Sequence, residues 1–375
     1  MHIGKIVKGF LFVFCIFFII AGPFAFEAYK EYIDTPAKEE EAWKGIIVIW
    51  DYPSFNKEDG TRYSWIADKI KQFEKENKGV FINFKPLDIS TALVQIQTAA
   101  ETNTLPDIAP VGAERAIQEM DILEPLNPFV EMNSMDRYIE EVKGTVIYND
   151  IIYGIPRLVD LNVIALNKRA LNSQEEVVIN TGQELIYIVT QLCEKTGLPF
   201  KIKDTSLLMA AKCFEKYPEF EHLIRKKLIK ETSGIYSDFE NRNYSAIACS
   251  TMDLARIEYV FGSGGEYQPF PLIAENDQKL IGTCRAYGVM KQEDKGKTEM
   301  CIKFINFLTN SEEQLKLAEF NAFSTMKGIH GIYEEDGDFK MLEELYMKKD
   351  KLLINTLSAD EITDLMRLYE VRTKN

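Results

Sequence analysis

The chain has 375 residues, 46% of them hydrophobic and 27% charged, with 44 basic against 58 acidic side chains and a formal net charge of −14. That balance excludes wholesale disorder, and it argues against a nucleic-acid binder, which needs a basic face to neutralise phosphates. One long apolar run is too few for a multi-span membrane protein, and the length predicts two domains or two lobes sharing one chain.

The run is residues 10–26, FLFVFCIFFIIAGPFAF. Lys5 and Lys8 precede it, and Glu27, Glu31, Asp34, Glu39, Glu40 and Glu41 follow. Positive charge before and negative charge after predict that the amino end stays in the cytoplasm and the rest is exported. The segment reads either as a cleaved signal peptide or as a short retained anchor. No small-x-small cleavage site follows the apolar core. Cys15 is preceded by Phe12, Val13 and Phe14, which is not a lipidation pattern. The expectation is therefore a signal or membrane-anchor segment over 1–28 and a charged linker over 29–44, with the protein held on the outer face of the cytoplasmic membrane.

The remaining cysteines, Cys193, Cys213, Cys249, Cys284 and Cys301, are odd in number and irregularly spaced. They do not form a disulfide framework and read as buried small hydrophobes. With His2, His222 and His330 as the only histidines and no C-x-x-C, neither a metal site nor a cofactor is expected.

In chain order, the apolar run 46–49 ending at Trp50 predicts a buried strand. A turn-rich stretch follows, then an amphipathic helix over 64–77 with Ile66, Ile70 and Phe73 on one face. Strand 80–84, helix 91–102, strand 107–111 and helix 113–120 continue the alternation. This order predicts a mostly parallel sheet covered by helices on both faces, with ligands bound beyond the carboxyl ends of the strands. Tyr153-Gly154-Ile155-Pro156 interrupts the pattern before a strand over 161–166. Helices are expected at 181–196, 206–216 and 219–230, a strand at 245–249, a helix at 251–261 and a strand at 287–290. Helices at 298–308, 311–320, 338–349 and 358–372 complete the chain, with Ser311-Glu312-Glu313-Gln314 as a near capping box.

Several of these landmarks resemble those of extracellular solute-binding proteins of ABC importers, of the large family that includes the maltose- and oligosaccharide-binding proteins. The carriers are the helix WIADKIKQFEKEN, Leu105-Pro106-Asp107-Ile108, and Asp121-Ile122-Leu123-Glu124-Pro125-Leu126, where Asp121 replaces a usual Gly. Tyr153-Gly154-Ile155-Pro156 through Leu166-Asn167-Lys168 resembles the family's first lobe crossing, with Leu166 in place of its usual Tyr. Residues 303–314, KFINFLTNSEEQ, resemble its KFxxFLxSxExQ helix pair. The similarity spans roughly residues 46–330. The resemblance implies a periplasmic-binding-protein-like α/β fold with two lobes, here 45–155 with 285–320 and 156–284 with 321–375. It also implies a cleft ligand, an ABC permease as partner and no catalysis.

Candidate contacts follow from position. Trp50, Asp51 and Tyr52 end the first strand, where a ring can cover a sugar face and a carboxylate can accept its hydroxyls. Gly112 follows the third strand and opens a helix. Arg157 and Asp160 sit just after the crossing, where a hinge ion pair is the competing reading. Ser250, Thr251 and Met252 follow a strand and open a helix, with plain capping as the alternative. Arg285 and Tyr287 lie at the expected return crossing, and Phe323 and Ser324 resemble the segment that re-enters the cleft. Trp65 is assigned to the helix–sheet core. Capture of a sugar for import is the preferred reading. A tethered sensor signalling to a kinase and an extracellular glycan hydrolase are the alternatives, and polyols and polyamines compete as ligands.

Overall fold

The computed structural model describes residues 43–353, apart from 89–90, 112–120, 172–178, 180, 204–205, 207–209, 211–212, 215, 263–265 and 275–278. The apolar run, the linker up to residue 42, Gly112, the helix at 113–120, part of 206–216 and the helix at 358–372 lie outside the described residues. No helix among those described is long and apolar enough to cross a membrane.

The strands are β1 Gly45–Asp51, β2 Val80–Pro86, β3 Ile108–Val111, β4 Ile147–Tyr148, β5 Ile151–Ile152, β6 Ile155–Asn167 and β7 Phe200–Lys203. They continue as β8 Ile229–Thr232, β9 Ala246–Ser250, β10 Tyr267–Pro271, β11 Ile273–Ala274, β12 Lys279–Val289 and β13 Asp350–Leu353. The main sheet runs β2-β1-β3-β12-β6-β9-β7-β8. Its two flanks are parallel: β1 pairs with β2 and β3 at one end, and β7 with β8 and β9 at the other. The centre is antiparallel, because β12 runs against both β3 and β6, and β6 against β9. The expected mostly parallel sheet is therefore confined to the flanks.

Local sequence explains where the helices start. Thr181 accepts the Glu184 N–H while Glu184 reaches back to the Thr181 N–H, a capping box that opens Gly182–Thr196. That helix stops at Gly197, whose φ of 70° is left-handed. Ser250 and Asp253 form the same box at the start of Thr251–Phe261. At the helix Ser311–Gln314 the cap is Asn310, one residue before the expected Ser311.

Other expectations fail in instructive ways. The helix expected over 219–230 ends at Arg225, and residues 229–232 form β8. The helix expected over 311–320 breaks after Gln314 and resumes as a 3-10 turn at Leu317–Phe320. Tyr153 to Pro156 does not interrupt the sheet, since Ile155 and Pro156 already belong to the 13-residue β6. Every residue of β6 is buried, so it lacks the polar alternation by which a half-exposed strand is recognised.

Two glycines permit the close approach at this crossing. A Cβ on Gly288 would lie 2.9 Å from the Tyr153 carbonyl oxygen and 2.7 Å from Val111 Cγ1. One on Gly154 would meet Val111 Cγ2 at 2.7 Å and the Tyr287 carbonyl oxygen at 3.1 Å. The glycine of the Tyr-Gly-Ile-Pro motif is thus a packing requirement.

The five cysteines among the described residues are buried and form no disulfide with one another, as their surroundings predicted. Burial pushes the Cys193 thiol up to about 11 and those of Cys284 and Cys301 to about 12, which keeps them protonated.

Candidate binding site

β6 and β12 pair with a register shift: Arg285 faces Leu158 and Ala286 faces Pro156. Arg157 is the extra residue of this bulge, and a bulge re-aims the side chain it carries. Pro156, which has no N–H to give, is accommodated at the same irregularity. The Arg157 guanidinium meets the carboxyl end of β1, where its Nη1 lies 3.3 Å from Asp51 Oδ2 and 3.0 Å from the Tyr287 hydroxyl.

Asp51 is fully engaged. The Tyr287 hydroxyl donates to Oδ2 at 2.5 Å, and the Tyr52 N–H donates to Oδ1 at 2.8 Å. Burial pushes the Asp51 carboxyl above its ordinary value, against the opposing pull of Arg157 and the two donors. Burial likewise holds the Tyr287 phenol well above the usual tyrosine value, so that it stays a donor.

A second cluster lies beside the first. Asp160 Oδ1 accepts from the Thr251 hydroxyl and from the Met252 N–H, both at 3.1 Å, and Arg285 Nη2 lies 3.4 Å from Oδ2. The Thr251 hydroxyl also accepts the Leu161 N–H at 3.2 Å. The carboxylate thus sits on the first turn of Thr251–Phe261, where free N–H groups and the helix dipole favour negative charge. Burial still pushes Asp160 up, with Arg285 pulling it down and Asp253 adding to the rise. Tyr52 joins the clusters: its N–H serves Asp51, and the Arg285 guanidinium lies 5.8 Å from the centre of its ring.

The structure therefore brings Asp51, Tyr52, Arg157, Asp160, Thr251, Met252, Arg285 and Tyr287 together. Ser250 borders the group, occupied as the helix cap. Trp50 lies at the same strand end, 7% exposed, with Lys85 Nζ 4.0 Å from its ring centre. The Met252 side chain turns away and packs on Leu158, Leu317, Phe320 and Ala322. Phe323 and Ser324 form a separate buried packet. Phe323 exchanges two backbone hydrogen bonds with Val159 of β6 and packs against Tyr333 and Tyr346. Arg157 pairs with Asp51 and Asp160 with Arg285.

Two contributors escaped the sequence reading. Trp65 packs on Phe320 as expected of a core residue, but its face also carries the Arg157 guanidinium at 4.0 Å. Its indole N–H donates to Glu313 at 2.8 Å. Gln314 donates to the Arg157 carbonyl at 2.5 Å, and its own carbonyl accepts from Ser324, the Thr325 N–H and the Thr325 hydroxyl. The signal for Gln314 was its place in the KFxxFLxSxExQ pattern, which composition and capping alone do not explain.

Glu313 offers a pH test. Burial alone would raise its pKa, but hydrogen bonds from Lys69 and Trp65 outweigh it and hold the carboxyl below 4.5. A depressed acid stabilises the fold above its unfolded value and loses that contribution as pH falls through the folded one. Glu313→Gln is expected to lower stability by about 1–2 kcal/mol at neutral pH. The gap between variant and parent in urea melts should close as pH drops below 4.5. A gap that stays constant down to acid pH would show that the charge is not what matters.

Among the described residues, no group of three or more His, Cys, Asp or Glu side chains is placed to hold a metal ion. No protein-family model matches the sequence, and no curated protein matches it. Solved structures do match its fold. The GacH receptor of Streptomyces glaucescens aligns with TM-score 0.67 at 15% identity, over 88% of this chain and 94% of that one. The ABC substrate-binding protein Lmo0181 of Listeria monocytogenes, solved with cycloalternan, aligns with TM-score 0.66 at 14% identity, over 88% and 94%. The maltose/maltodextrin-binding domain MalE of Bdellovibrio bacteriovorus, bound to maltotriose, gives TM-score 0.63 at 14% identity, over 88% and 94%. The chain has the α/β fold of periplasmic binding proteins.

Proposed function

We propose that this protein is an extracytoplasmic substrate-binding protein of an ABC importer, which captures a small carbohydrate and hands it to a permease without making or breaking a bond. The observation that carries the reading is the pair of long crossing strands, β6 and β12, which gather polar and aromatic residues at the carboxyl end of β1 within a binding-protein fold. Proteins of like fold described with acarbose, cycloalternan and maltotriose support the choice of a sugar.

In this reading the lobes are 45–155 with 285–320 and 156–284 with 321–375, hinged at the crossing. Trp50, Tyr52, Ser250 and Arg285 contact the ligand, together with Gly112, which follows β3 in the sequence. Asp51, Arg157, Asp160, Thr251, Met252 and Tyr287 stand behind them as positioning groups, and Phe323 and Ser324 brace β6. A thermal-shift screen of maltotriose and other oligosaccharides tests the ligand class, since a ligand of the folded state raises its melting temperature. With the sugar that scores, Arg285→Ala should weaken binding about tenfold or more, equivalent to about 1.4 kcal/mol. Saturating sugar should also reduce the radius of gyration in scattering. No shift with any sugar would remove the carbohydrate reading.

Residues 10–26, with basic residues before and acidic residues after, support export and retention at the outer face of the cytoplasmic membrane. Mass spectrometry of the native protein should find the segment still attached. A mature form starting beyond residue 22, free in the medium, would refute retention.

A further inference from the structure

Between β1 and the helix Ser64–Glu76 the chain makes a short loop that does not stay with its neighbours in sequence. The Lys57 N–H bonds the Glu319 carbonyl at 2.8 Å, and Asn56 Nδ2 reaches the Glu319 carboxylate at 2.9 Å. Phe55 meets the Tyr259 ring edge-on at 5.8 Å. Gly60, at φ 72°, packs so closely on the same ring that a Cβ there would overlap it.

The Lys57 ammonium enters a built cage. Nζ lies 2.9 Å from Glu258 Oε2, 2.8 Å from Asn321 Oδ1 and 4.0 Å from Asp336 Oδ2. The ring centres of Tyr333 and Phe339 are 5.8 and 5.5 Å away, and these two rings stack on each other. Cation–π attraction operates over such distances. Glu258 is itself fixed, since its other oxygen takes the Tyr267 hydroxyl at 2.6 Å. Asn321 is fully buried in the left-handed region at φ 54°, and its Nδ2 has no hydrogen-bond partner. A buried amide with one half unsatisfied is costly. Its carbonyl oxygen is committed to the Lys57 ammonium. Two carboxylates, an amide carbonyl and two aromatic rings together are complementary to a primary ammonium with three N–H donors.

We infer that Glu258, Asn321, Asp336, Tyr333 and Phe339 form a primary-ammonium site, filled by the chain's own Lys57, and that its occupancy latches the 52–63 loop onto the helix Thr251–Phe261. The loop leaves the strand end that carries Asp51 and Tyr52 and lands on the helix whose first turn holds Asp160. The latch thus ties together the two sides of the polar network. It depends on amine chemistry alone and stands or falls separately from the sugar reading.

The test uses the full chain with Lys57→Ala and Lys57→Arg. Hydrogen exchange read by mass spectrometry should show residues 53–62 exchanging at least tenfold faster in Lys57→Ala, with the sheet strands unchanged. Millimolar n-propylammonium should restore protection in that variant, whereas tetramethylammonium and sodium chloride at equal concentration should not. Lys57→Arg, which keeps charge but not the compact three-donor head, should fall between parent and Lys57→Ala. If Lys57→Ala protects the loop as the parent does, the latch is refuted. If all three salts restore protection equally, the effect is ionic strength and the ammonium site is refuted. If the strands also lose protection, the Lys57→Ala rescue by n-propylammonium alone decides, since only an occupied cage reverses it.

Discussion

Arg157→Met is expected to destabilise the protein by about 3–5 kcal/mol at pH 8, because it leaves the buried Asp51 carboxylate without its cationic partner. The Trp65 face also loses the guanidinium stacked on it, and the Tyr287 hydroxyl its donor. The pH dependence separates charge from packing. The folded-state pKa of Asp51 is already raised above 3.8, so its native site favours the protonated form. Removing Arg157 takes away the largest opposing influence and raises it further. A raised folded pKa means that stability is fully present below the unfolded value and is lost as pH rises through the folded one. The deficit of Arg157→Met should therefore be smallest in acid and grow as pH increases. Adding Asp51→Asn to the same variant should recover part of it at pH 8. Urea melts across pH on parent, single and double variants provide the measurement. A loss below about 1 kcal/mol that does not change with pH would mean that the pair contributes little beyond its volume.

Gln314→Leu is expected to cost about 3 kcal/mol, since it removes four hydrogen bonds from a buried junction and orphans the Thr325 N–H. Leucine fits the volume, so the loss reports bonding rather than a cavity. Gln314 ties the Arg157 carbonyl at the bulge of β6 to the segment Phe323–Met326, which also docks on β6 through Val159. Loosening it should lower the stability of that segment more than of β1, visible as hydrogen exchange concentrated at 323–326. Gln314→Glu keeps the acceptor but loses the donor to Arg157 and buries a charge, so it should not rescue. Uniformly distributed exchange would place the role of Gln314 in general packing.

Trp50, Asp51, Tyr52, Arg157, Asp160, Arg285 and Tyr287 were singled out from their positions at strand ends and crossings, and the fold gathers them at one place. Asp51 and Asp160 spend their lone pairs on Arg157, Tyr287, Thr251, Met252 and Arg285, and the Trp50 face lies under Lys85. A sequence reveals that a carboxylate stands at a strand end. It does not reveal that a guanidinium 106 residues later will reach it. Trp65, expected in the helix–sheet core, is partly buried and packs against the cluster around Phe320. Its bond to Glu313, 248 residues away, had no local trace.

Local physics determined β1, β2, β3 and the helices Ser64–Glu76, Gly182–Thr196 and Thr251–Phe261. Each carries its own signal: an apolar run, a period of 3.6 residues, or a cap that satisfies the first N–H groups. The burial of the cysteines followed from their apolar neighbours. Tertiary structure alone decided the extension of β6 back to Ile155, the strand β8, the antiparallel centre of the sheet and the bulge at Arg157. A strand buried on both faces loses its alternation. A four-residue edge strand such as β8 is specified by the partner that completes its ladder, here β7. Whether two strands run parallel or antiparallel depends on how the intervening chain returns, which the pairing energy of the whole sheet settles and no short window of residues encodes.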